Sequence, residues 1–141
     1  DGFEQGLASC PGVEIVASQT ADYLREPAIK FMEDMLQKYG PGEINAVYSH
    51  NDEMALGAIK AIKAAGRLNE ITVVGIDGQN EAFEAIKAGD LAATFTYHFC
   101  APEGMMYAKM IYEGVPVASN VTMHTKRVDA TNVDEWLGKG F

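Results

Sequence analysis

Only two cysteines, Cys10 and Cys100, occur in 141 residues, too few for a disulfide framework and without the spacing of a metal site. Whether they pair is left open; the simplest reading is two free thiols packed as small hydrophobes. Positive charge is scarce too, with 11 Lys and Arg against 20 Asp and Glu, a formal net charge of −9. The basic residues are scattered, whereas a phosphate-backbone partner needs clustered cations, so nucleic-acid binding is excluded as an expectation. No apolar run approaches the roughly 18 to 20 residues that span a bilayer. The first residues lack the charged, apolar and small-residue order of a signal peptide. There is no glycine-rich phosphate loop, no nucleophile elbow and no His pair at metal-ligand spacing, so neither cofactor nor metal is expected. Internal repeats and low-complexity tracts are missing as well.

What is present is an alternation of strand and helix patterns. Residues 2–9 read as the tail of a helix stopped by Pro11-Gly12, and 13–18 have the β-branched content of a strand. Ala28, Met32, Met35, Leu36 and Tyr39 form one stripe of a helix running from Leu24 or Glu26 to Tyr39, with Pro27 in the tolerated first turn. Strands are then expected at 44–49, 71–76 and 92–97, and helices at 52–65, 80–88 and from Pro102 to about Gly114. Residues 121–128 read as extended, and 134–137 as one helical turn that anchors Trp136 and Phe141 on an apolar surface. Near-continuous apolar strands alternating with helices predict a Rossmann-like α/β fold, a parallel sheet with helices on both faces. The abrupt start at Asp1-Gly2-Phe3, with Phe3 and Leu7 already at helical spacing, suggests a piece of a longer protein.

In such a sheet, right-handed crossovers bring the strand C-termini to one edge, where open α/β sheets bind ligands. Four loops fall there: Asp22-Tyr23-Leu24-Arg25, His50-Asn51-Asp52, Asp77-Gly78-Gln79 and Tyr97-His98-Phe99. Carboxylates, an amide and a guanidinium can pair with adjacent hydroxyls while aromatic faces cover sugar C–H groups, so the set suits a polyhydroxyl ligand. Taken singly, Asn51 or Asp52 has an equally good reading as a helix cap, and Asp77-Gly78 as a turn. His50, His98 and His124 are isolated along the chain, which disfavours them as catalytic bases. Asp52 and Asp77 could serve as a glycosidase pair, which needs carboxyl groups about 5 to 9.5 Å apart, but no other catalytic signature accompanies them. The Met-rich helix with Met105, Met106 and Met110 reads first as packing.

At Asn51-Asp52-Glu53-Met54-Ala55-Leu56-Gly57-Ala58, Val73-Val74-Gly75-Ile76-Asp77-Gly78 and Gly89-Asp90-Leu91-Ala92-Ala93-Thr94, the sequence resembles the ribose-binding type of periplasmic sugar-binding proteins. The stretch from His50 to Gly57 and the Gly140-Phe141 end look closest to members that bind galactofuranose or related sugars. The resemblance implies the distal lobe of a two-lobed receptor that closes on a monosaccharide and delivers it to an ABC permease, without turnover. It implies a periplasmic location, or an extracytoplasmic, lipid-anchored one in a Gram-positive source. Residues 1–97 would form most of the lobe without its first strand, 98–120 a crossover packing on the other lobe, and 121–141 a return segment and cap. Asn51 and Asp77 match the family's polar ligands, Tyr23 an aromatic position bordering the sugar, and Arg25 an arginine of some members. Asp52 is a further ligand candidate. Tyr97 falls where ribose binders carry a glutamine, a departure that turns expectation away from ribose itself. The effector domain of a lac-repressor type regulator shares the fold and is the alternative. Deprived of its partner lobe, the chain is expected to bind weakly and to self-associate, which a monodisperse monomer in light scattering would contradict.

Overall fold

A computed structural model describes residues 2–97 and 100–141. Helices form at α1 (Gly2–Leu7), α2 (Arg25–Lys38), α3 (Asp52–Ala64), α4 (Asn80–Ala88) and α5 (Ala101–Tyr112), with a 3-10 turn at Val133–Glu135. Four short strands, β1 (Ala46–Tyr48), β2 (Thr72–Val74), β3 (Ala93–Phe95) and β4 (Arg127–Asp129), make one sheet in the order β1-β2-β3-β4. The first three are parallel, with Val47 opposite Val73 and Val74 opposite Ala93. β4 is antiparallel to β3, pairing Val128 with Thr94, so the sheet is mixed at that edge.

Period-two alternation turns Val73, Thr94 and Val128 to one face, where all three are buried. Helix α3 lays Ala55, Ala58, Ile59 and Ile62 on this face, a 3.6-residue stripe. α4 adds Ala82, Phe83 and Ile86, and α2 packs along α3 through Ala28, Ile29 and Met32. Phe83 is fully buried, and its ring lies 6.1 Å from that of Trp136. Helices therefore cover the two faces unequally. On the opposite face lies only the six-residue α1 among the described residues, with Phe3 stacked on Tyr48 at a centroid distance of 4.0 Å. Phe3, Leu7, Tyr48, Val74 and Phe95 border an apolar cavity of about 630 Å³ there.

Expectation and structure differ at four places. Residues 13–18 form no strand, and Val13, Ile15 and Val16 are exposed. β-branched composition suits a strand but cannot make one without a neighbour to take up its N–H and C=O groups; here the Tyr39 hydroxyl donates to the Val16 carbonyl at 3.0 Å. Of the extended stretch 121–128, only its end joins the sheet, as the start of β4. The turn at 133–135 does bring Trp136 onto the core, but the Phe141 ring is exposed. Helix α5 buries none of its residues, and Met105, Met106, Ile111 and Tyr112 all stand in solvent.

Candidate functional site

The loops after β1, β2 and β3 share the C-terminal edge of the sheet with the turn before α2. Asn51 is nearly buried, in extended backbone just ahead of α3. Its Oδ1 accepts the Met54 N–H at 2.9 Å, the N-cap bond, and its Nδ2 donates to the Tyr23 carbonyl at 3.3 Å. One amide thus caps a helix and also ties the turn at 22–23 to it. That turn carries two consecutive left-handed residues, Asp22 (φ 53°) and Tyr23 (φ 61°), a costly conformation that bonding from outside must hold. The Tyr23 ring projects outward, 69% exposed.

Asp77 lies three residues past the end of β2. Its N–H donates to the Phe95 carbonyl and its carbonyl accepts from the Tyr97 N–H, both at 2.8 Å, so the sheet's ladder continues through it at φ 129°. Burial pushes its carboxyl above the ordinary value, with the Glu53 carboxylate adding to the rise, while the Asp52 N–H pulls it back down. Tyr97, the next strand end, is 59% exposed. His50 stands edge-on to Tyr48 at 5.1 Å, and His124 is exposed in the segment leading to β4. His98 and Phe99 lie outside the described residues.

Asp52 and Arg25 both have their hydrogen-bonding groups engaged within the protein. Asp52 is 0% exposed. Its Oδ2 accepts from Gly78 N at 2.8 Å and Gln79 N at 2.9 Å, and its Oδ1 from Thr94 Oγ1 at 2.7 Å. Gly75 runs so close that an added Cβ would meet this carboxylate. Burial pushes the Asp52 carboxyl up to about 6 from 3.8, against three hydrogen bonds that favour the ion. Because the folded value is raised, its share of stability is full below about pH 4 and falls away as pH climbs through 6. Arg25 gives Nε and Nη2 to the Glu53 carboxylate at 2.9 Å, and Nη1 and Nη2 to Glu81 at 2.9 and 2.8 Å. Those two glutamates hold its guanidinium well above its ordinary value, so it is always charged and already doubly engaged.

The loop at 77–79 is also gripped from the C-terminal end. Asn80 and Gly140 exchange two hydrogen bonds, Asn80 Nδ2 to the Gly140 carbonyl at 3.0 Å and Gly140 N to Asn80 Oδ1 at 2.9 Å. A Cβ at Gly140 would stand 2.5 Å from the Gly78 carbonyl oxygen, so only glycine fits. The structure thus brings Asn51, Asp52 and Asp77 together, with Tyr23 joined through Asn51, and sets Tyr97 beside Asp77. Sequence reasoning missed Thr94, the Asn80–Gly140 clasp and the glutamate partners of Arg25. Glu53 and Glu81, each in the first turn of a helix at this edge, were the available signal for the last.

The sequence profile of the family described as "Periplasmic binding protein domain" matches residues 1–112. The xylitol-binding protein of Mycolicibacterium smegmatis is 32% identical over 135 residues, 94% of this chain and 38% of that protein. Among solved structures, the fructose-binding periplasmic domain of a hybrid two-component system superposes with a TM-score of 0.89 at 33% identity, covering 98% of this chain and 46% of that one. An ABC transporter solute-binding protein from Bacillus halodurans with bound myo-inositol gives a TM-score of 0.88 at 34% identity, over 98% of this chain and 48% of that one. The chain therefore spans less than half the length of the relatives it matches. The fold with its ligand edge and the match over 1–112 place it in one group: the chain belongs to the periplasmic binding protein domain family.

Proposed function

We propose that this chain is the distal lobe of a two-lobed extracytoplasmic receptor that binds a monosaccharide or related polyol for an ABC importer, by closure rather than by turnover. The carrying observation is the strand-end edge itself, where Asp77 is locked into the ladder and Asn51 holds the exposed Tyr23 turn. Both belong to a fold shared, at 34% identity, with a solute-binding protein that holds myo-inositol. Asp77 would accept from ligand hydroxyls, Tyr23 and Tyr97 would offer ring faces, and Asn51 would present its remaining amide hydrogen. Arg25 and Asp52 act behind this surface, Arg25 by tying helix starts together.

The surface area supports a missing partner. The chain exposes 9301 Å²; a folded 15.3 kDa monomer should expose about 7,100 Å². The excess of roughly 2,000 Å² is the size of a substantial interface. Helix α5 and the thinly covered sheet face would supply it, with residues 98–120 crossing to the other lobe and 121–141 returning. The same surfaces would make the isolated chain self-associate, as light scattering can test.

Calorimetric titration of the full-length gene product against pentoses, hexoses, their furanose forms, xylitol and myo-inositol tests the reading. Micromolar or tighter binding to one of them, without conversion, is expected; silence across the panel rejects it. A second reading, the sensing domain of a signalling receptor, is favoured by the likeness to a domain of a hybrid two-component system. It predicts a membrane-spanning segment and a kinase in the remainder of the gene product.

A further inference from the structure

We infer that Asp52 is a positioning residue: its buried carboxylate, holding Gly78 N, Gln79 N and Thr94 Oγ1, aims the 77–79 loop and with it the Asp77 side chain at the ligand. The inference deepens the proposed sugar-binding reading and rests on it for the affinity readout alone.

The geometry is that of a buried anchor behind a surface loop. Asp52 belongs to the first turn of α3 and Thr94 to the middle of β3, and both are fully buried. Gly78 and Gln79 belong to the loop, and their two N–H groups converge on one oxygen, Oδ2. Bonds to an ionised acceptor are roughly twice as strong as neutral ones, and these two fix the peptide planes on the C-terminal side of Asp77. Across the loop, the Asn80–Gly140 clasp holds the next residue. With both sides pinned, Asp77 keeps a backbone conformation that a residue with a Cβ rarely adopts. Thr94 Oγ1 donates to Oδ1 and itself receives a longer bond from Gly78 N at 3.3 Å, so the hydroxyl and carboxylate share one donor.

Protonation alters this arrangement in a definite way. A proton on Oδ1 makes that oxygen a donor towards Thr94 Oγ1, which must then turn its own hydrogen elsewhere, while Oδ2 loses the charge that strengthens its two bonds. The groups that face or flank the site are Asp77 across it, which raises the Asp52 carboxyl, and Glu53 beside it on α3, already paired with Arg25 from α2. Glu81 at the start of α4 is paired with the same arginine, and Thr94 on β3 is uncharged. Acidification through about 6 therefore loosens the loop, although the Asp52 contribution to stability rises over the same range. Opposite signs separate loss of aim from unfolding.

The test uses the full-length gene product labelled with 15N, followed from pH 4.5 to 8. The Gly78 and Gln79 amide resonances are expected to titrate together with a midpoint near 6, and Asp52→Asn, which keeps the shape and removes the charge, should abolish that transition while Asp77→Asn preserves it. Unchanged titration of both amides in Asp52→Asn would overturn the inference, as would their failure to titrate in the natural protein. Affinity for xylitol, D-fructose and myo-inositol is measured alongside. For whichever binds, affinity should fall below pH 6 in the natural protein. In Asp52→Asn it should be roughly tenfold weaker, the size of one charged hydrogen bond, and lack the fall centred near 6, so that any fall left at more acid pH belongs to Asp77. Thr94→Val should weaken binding in the same direction and Thr94→Ser restore it; equal affinities and pH profiles in all variants would overturn the positioning role. If none of the three probes binds, the sugar reading loses its support and the amide titration still decides the inference.

Discussion

Phe83→Ala is expected to cost the 141-residue chain about 3 to 5 kcal/mol, the range for deleting a fully buried aromatic ring. Phe83 is 0% exposed at the centre of α4's inward face, beside the Trp136 ring, so its removal leaves a hole bounded by helix, sheet and the terminal turn. Collapse cannot fill it easily, because α4 is tied to the strand ends by the loop at 77–79 and to the terminal segment through Asn80 and Gly140. By the usual entropy of unfolding per residue, the melting temperature should drop by roughly 10 to 15 °C. Urea unfolding monitored by circular dichroism gives the free energy directly. A loss below about 1.5 kcal/mol would mean that the surroundings repack, and would remove Phe83 as the keystone of this core. The ring also lies 3.3 Å from where a Cβ on Gly78 would stand, so the same substitution should loosen the ligand-side loop from below.

In the full-length gene product, Asp77→Ala is expected to weaken sugar binding by about 1.5 to 3 kcal/mol, roughly 10- to 150-fold in Kd, the span for hydrogen bonds to a charged group. Two effects add in that variant. One is loss of the acceptor for the ligand; the other is loss of the bond that the Asp77 carboxylate accepts from the Asp52 N–H, which helps hold the backbone at φ 129°. Asp77→Asn separates them by keeping the shape and the side-chain carbonyl, and should lose the smaller part. Calorimetric titration of both variants with the sugar bound by the natural protein measures the difference. Affinity unchanged in both would make Asp77 a structural turn. Because burial raises its carboxyl, acid should protonate Asp77 sooner than an exposed aspartate and weaken binding by the same route.

The helices were readable because their signals are local. Leu36 and Met32 on one stripe, Asn51 before α3, and Gly66 and Gly89 beyond two helix ends fix α2, α3 and α4 to within a residue or two. Strands were harder, since pairing is a property of two segments. The 13–18 stretch has the right residues but pairs with no strand among the described residues, while Arg127–Asp129 becomes a strand because β3 offers an edge. The strand-end positions of Asn51 and Asp77 were legible from the order of strands and helices alone. The work of Asp52 was not: its three partners lie 26, 27 and 42 residues away, and nothing local distinguishes a cap from a buried anchor. The partners of Arg25 were hidden for a related reason. A guanidinium near a polar edge invites a ligand, but Glu53 and Glu81 reach it first, 28 and 56 residues along the chain.

That arginine joins the beginnings of three helices through one planar group, α2 by its own backbone, α3 through Glu53 and α4 through Glu81. Helix ends ordinarily fray independently, each at its own small free energy. Here the first turn of any one cannot open without surrendering contacts that also steady the other two. The ligand-side rim of this lobe therefore behaves as a single cooperative unit, rigid between its strand ends, and leaves the outward ring of Tyr23 as the element free to adapt.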